Sequence, residues 1–84
     1  MPYYLITSRS LTYAQRTARV LERTGITARI QRAPSEIAEE GCGYCVRIPQ
    51  HVLSGAAQRL RAAGLPIKHI YALDQDGAVR EVFL

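Results

Sequence analysis

Two strand–helix–strand units in tandem, a glycine closing each helix, and an Asp-rich turn before the last apolar residues predict an α+β fold ordered βαββαβ, with a fifth strand possible at the C-terminus. The units share a weak repeat: Leu21-Glu22-Arg23-Thr24-Gly25-Ile26 parallels Leu60-Arg61-Ala62-Ala63-Gly64-Leu65, with a strand on each side of both copies. At 84 residues the chain is expected to form a single domain over residues 1–84.

Tyr3 to Ser8 is rich in β-forming residues and reads as the first strand. Ser10 and Thr12 offer helix N-caps, and Gln15 would complete a capping box from Thr12. Leu11, Ala14, Ala18 and Leu21 recur at helical spacing as a buried stripe, and Gly25 stops the helix at the C′ position. Ala28 and Ile30 alternate with Arg29 and Gln31 in a half-buried second strand. Pro34 and Ser35 start a single helical turn through Glu40. Tyr44, Val46 and Ile48 alternate with Cys45 and Arg47 in a third strand that ends before Pro49. A second helix covers Val52 to Ala63, with Leu53, Ala56, Ala57, Leu60 and Ala63 inward, and stops at Gly64. Ile67 to Leu73 forms the fourth strand; Asp74-Gln75-Asp76-Gly77 turns the chain so that Ala78 to Phe83 returns as an edge strand.

This order is that of the ferredoxin-like plait, an antiparallel sheet with two helices on one face. Its first and third strands are expected at the centre, parallel to each other and joined through right-handed crossovers. The start of the third strand would then lie beside the start of the first and the end of the second.

Eleven Lys/Arg against seven Asp/Glu give a net charge of +4, which suits an anionic partner or plain solubility. No apolar run approaches the ~18 residues of a membrane span, and the N-terminus lacks the regions of a signal peptide, so no membrane partner and a cytoplasmic location are expected.

The chemistry concentrates in Gly41-Cys42-Gly43-Tyr44-Cys45, a CxxC holding both cysteines. Such a pair can form a disulfide, share a metal or pass a sulfur-based group. With the expected topology, Cys42 sits at a sheet end near Tyr3, Gln31 and Arg32. Cys45 and Arg47 share the face away from the helices, about 7 Å apart. Arg47 and Arg32, with Arg29 or Lys68 nearby, would favour thiolate, whereas Glu36, Glu39 and Glu40 push the other way. Gly41 and Gly43 leave room for a large partner to approach the Cys42 sulfur.

Other readings fit less well. Zinc wants about four N or S ligands, and His51 falls roughly 15–20 Å from Cys45 along an extended chain. His69, in the middle of the fourth strand, is no better placed, so no metal site within one chain is assigned. A thioredoxin-type CxxC precedes a helix whose N-terminus lowers the thiol pKa, whereas this one precedes a strand. RNA binding on the plait would need stacking aromatics. Tyr3, Tyr4 and Tyr44 fall on the central strands, yet Val46 and Pro49 occupy signature positions that need aromatics, so nucleic acid is disfavoured.

From Tyr3 to Leu73 the chain resembles a small bacterial family of selenium/sulfur carrier-like proteins of unknown function. Tyr4-Leu5-Ile6, Leu21-Glu22-Arg23-Thr24-Gly25-Ile26, Ala33-Pro34-Ser35-Glu36-Ile37, and Cys42-Gly43 followed by Val46-Arg47-Ile48 carry the likeness, the loop plus Cys-Gly being its most specific part. The resemblance implies that Cys42 is the carrier cysteine. Cys45 stands where the family commonly has a small non-thiol residue, which leaves open whether it resolves a persulfide, forms a disulfide or fills a small site. The implied function is a carrier rather than a free-standing enzyme, without cofactor. It would take a persulfide or selenopersulfide from a cysteine desulfurase-like donor and deliver it to an acceptor enzyme of sulfur or selenium metabolism. The alternative is a non-catalytic interaction module with a redox- or zinc-linked CxxC. Homodimer formation through an exposed edge strand is left open by the sequence.

Overall fold

In the computed structural model, which describes residues 3–35, 37 and 43–83, the elements follow in the order β1 (Tyr3–Thr7), α1 (Leu11–Arg23), β2 (Arg29–Arg32), β3 (Tyr44–Pro49), α2 (Leu53–Ala62), β4 (Ile70–Leu73) and β5 (Val79–Val82). A short 3-10 turn, Gln50–Val52, leads into α2. The strands form one sheet in the order β2-β3-β1-β4-β5, antiparallel throughout. This is the ferredoxin-like plait with β5 added beside β4.

The expected parallel relation of β1 and β3 is wrong. They are antiparallel, with Tyr3 opposite Pro49 and Thr7 opposite Cys45. β2 and β3 are antiparallel neighbours, and β1 runs the same way as β2, so β3 must oppose β1. The start of β3 therefore lies beside the end of β1. Tyr3 is at the other end of β1 from Thr7, the residue opposite Cys45.

Ser10, rather than Thr12, caps α1: its Oγ accepts from the Tyr13 amide at 3.3 Å. Ala14, Thr17, Ala18 and Leu21 form the buried stripe, while Leu11, at the first helical position, is 40% exposed. The inward face of α2 is Ala56, Ala57 and Leu60; Ala63 is exposed. Ala14, Ala18, Leu21, Ala56 and Leu60 pack with Ile6, Val46, Ile48 and Ile70 of the sheet. The alanines let each helix approach the sheet closely, so the branched strand residues fill the gap. β4 starts at Ile70 rather than Ile67, because β1, its partner, ends at Thr7, whose amide donates to the His69 carbonyl at 3.0 Å.

The sequence repeat is a pair of matching helix ends. Gly25 (φ 84°) donates to the Glu22 carbonyl and Ile26 to that of Leu21; Gly64 (φ 73°) donates to Arg61 and Leu65 to Leu60. Both are Schellman caps, in which only the glycine adopts the left-handed conformation without steric cost. Gly25→Ala and Gly64→Ala are each expected to cost about 1–2 kcal/mol, read by denaturant unfolding. A neutral result would mean that these turns do not hold the left-handed conformation.

Candidate functional site

The sheet face away from the helices carries a second, smaller apolar cluster. Leu5 of β1 and Cys45 of β3 are both fully buried there, with Ala33, Tyr71, Leu73 and Val79 around them. Packed into the same cluster is Ile37, 6% exposed, from the connection between β2 and β3. That connection bends at once: the Ile37 amide donates to the Pro34 carbonyl at 3.0 Å. It closes where the Ala33 amide donates to the Gly43 carbonyl at 2.8 Å. The β2–β3 connection thus anchors one of its own side chains on the face that an open plait leaves bare.

The expected faces of β3 hold. Tyr44, Val46 and Ile48 pack toward the helices, and Cys45 and Arg47 lie on the opposite face. Cys45 is a buried thiol. Cys42 and Gly41 lie outside the described residues, as do Glu36, Glu39 and Glu40 and the expected helical turn beyond Ile37. Cys42 directly precedes Gly43, the residue that closes the loop.

The two expected supporting cations are separated by the sheet. Arg47 is half-buried, with its guanidinium 4.6 Å from the centroid of the Tyr3 ring. Tyr3 pairs with Pro49, beyond Arg47 from Cys45, so the charge is drawn toward the far end of the strand. Arg32 pairs with Tyr44, not with Cys45, and stacks 5.7 Å over the Tyr44 ring. Gln31 is the residue directly opposite Cys45. The cation–π contacts hold both guanidinium groups in place over rings.

The histidines are far apart. His51 is exposed in the turn after β3, at the end of the sheet where β1 begins. His69 precedes β4 at the opposite end rather than lying mid-strand, and its Nδ1 is 2.7 Å from Glu81 Oε2, with its ring 6.2 Å from that of Tyr71. Among the described residues no cluster of three or more His, Cys, Asp or Glu could hold a metal. Nor do the tyrosines make a stacking platform, since Tyr4 and Tyr44 pack on the helix side and Tyr3 on the other face. No helix of the described residues is long and apolar enough to cross a membrane.

Ile37 is the residue that the sequence reading missed. Its signal was a lone large apolar residue between Pro34-Ser35-Glu36 and Ala38-Glu39-Glu40. Ile37→Ala is expected to cost about 2 kcal/mol or more and to speed alkylation of Cys45 in the native protein. Unchanged alkylation, read by mass, would show that some other group seals the sulfur.

The two helices and the five-stranded antiparallel sheet make the chain an α+β plait of the ferredoxin-like class. The family described as "Putative Se/S carrier protein-like" matches residues 3–72, and the chain belongs to that family. No curated protein matches the chain. The match stops within β4, so β5 and the turn before it lie outside the matched residues.

Proposed function

We propose that this protein is a sulfur or selenium carrier that holds its cargo on Cys42. Its membership of the carrier-like family supports this reading. The observation that carries the choice of residue is the burial of the other cysteine: Cys45 is fully buried in a cluster with Leu5 and Ile37, where a donor enzyme cannot reach its sulfur. Cys42, by contrast, has a glycine on each side in the sequence, Gly41 and Gly43.

The Cys42 thiolate attacks the terminal sulfur of a donor persulfide. A sulfur–sulfur bond forms on Cys42, the donor's sulfur–sulfur bond breaks, and the donor leaves as a thiolate. Delivery is the same exchange in reverse, with an acceptor thiolate taking the terminal sulfur and Cys42 leaving. No net oxidation occurs in either step. With a selenopersulfide the terminal atom is selenium and the electron count is unchanged. In this reading Cys45 serves as a packing residue, and the donor is a cysteine desulfurase-like enzyme of the cytoplasm.

The test is mass spectrometry after incubation with a cysteine desulfurase and cysteine. One added sulfur on the peptide containing Cys42, removable by a reducing thiol, is expected. No gain on that residue at any ratio of donor to carrier would end the proposal.

A further inference from the structure

Charge is distributed unevenly along this fold. Residues 9–32 hold six arginines (Arg9, Arg16, Arg19, Arg23, Arg29 and Arg32) against one carboxylate, Glu22, a net +5 in a chain whose total is +4. This segment is α1 and β2, and α1 lies against β2 and β3. Arg16, Arg19 and Arg23 recur at i, i+3 and i+7, opposite the buried stripe of Ala14, Thr17, Ala18 and Leu21, so they line the exposed crest of α1.

Among the described residues β2 is also an edge of the sheet, bonded to β3 alone. The Ala33–Gly43 bond fixes which of its backbone groups face outward. Antiparallel ladders alternate, so Gln31 and Arg29 share the bonded phase of Ala33, and the N–H and C=O groups of Ile30 and Arg32 point away from the sheet. Ile30 is 38% exposed at this edge, and Leu11 is exposed in α1 above it. Tyr13 lines a cavity with Pro66 and Lys68 on the other flank of α1, so Leu11, two residues away, faces the β2 side.

We propose that the β2 edge is a docking site for an extended acidic segment of a partner protein, added as a strand beside β2. Its backbone would pair with the outward groups of Ile30 and Arg32. Successive side chains of the added strand face opposite ways, so its apolar residues would lie beside Ile30 on the helix side and its carboxylates beside Arg29 on the other face, within the positive field of residues 9–32. A second copy of this chain fits poorly, because pairing β2 with β2 sets arginine against arginine. Single-stranded RNA offers phosphates but no backbone ladder. The inference does not depend on persulfide chemistry, and sulfur uptake on Cys42 is read separately by mass.

The probe is an acetylated heptapeptide alternating glutamate with valine, titrated into the isotope-labelled protein by NMR with amide hydrogen exchange. Saturable binding is expected, with exchange at the Ile30 and Arg32 amides slowed about tenfold or more. The same peptide with proline at its centre should give no such protection. Arg29→Glu combined with Arg32→Glu should weaken binding about tenfold or more while leaving the dispersed spectrum intact. If that variant does not fold, amide protection in the unsubstituted protein decides. Binding without protection of those two amides overturns the proposal, as does binding of oligouridylate but not of the peptide. Protection that rises with protein concentration in the absence of peptide assigns the edge to a second copy and also overturns it.

Discussion

Cys42→Ser is expected to abolish sulfur uptake from a cysteine desulfurase, reducing it to background, whereas Cys45→Ala should retain it. Exchange at sulfur needs a thiolate as nucleophile and leaving group, and a serine hydroxyl can be neither near neutral pH. Cys45 is fully buried in a cluster with Leu5 and Ile37, so its removal is expected to act on packing. The cost should be about 1 kcal/mol, the usual scale for a small deletion in a core. Tandem mass spectrometry of the persulfidated protein measures both variants. Sulfur found on Cys45 in the Cys42→Ser protein would show that the sealed thiol is reached in solution and would remove Cys42 from its proposed role.

The largest structural effect is expected at Leu21. Its side chain is fully buried where α1 meets the sheet, and its carbonyl accepts the Ile26 amide of the Schellman turn. Leu21→Ala should cost about 2–5 kcal/mol, the range for deleting a buried leucine. Stability scales as about 0.05–0.15 kcal/mol per residue, so a chain of this length has roughly 4–13 kcal/mol in all. The variant should therefore unfold roughly 10–30 °C lower, as followed by circular dichroism. A loss below about 1 kcal/mol would mean that α1 does not seat on the sheet through this residue.

The elements themselves could be read from the chain because each rule involved is local. The glycine ends of both helices, the alternation of Tyr44 to Ile48 and the Asp74–Gly77 turn depend only on neighbours in sequence. The same alternation placed Cys45 and Arg47 together on the face away from the helices. Errors arose where distant partners decide. The start of β4 depends on where β1 ends, and the exposure of Leu11 on what lies beneath the first turn of α1. The direction of β3 relative to β1 depends on the path of the whole chain, and it sets Cys45 beside Thr7 rather than at the Tyr3 end of β1.

Composition and pattern alone determined an α+β plait, two glycine-closed helices, one CxxC and a surplus of arginine within residues 9–32. Only the tertiary structure separated the arginines expected around the thiols, stacking Arg47 on Tyr3 and Arg32 on Tyr44. It alone brought Ile37 into the cluster that buries Cys45. The physical reason is that burial and stacking join residues far apart in the chain. A CxxC spells two thiols at a fixed spacing, but whether either can be touched depends on what the rest of the chain lays over it.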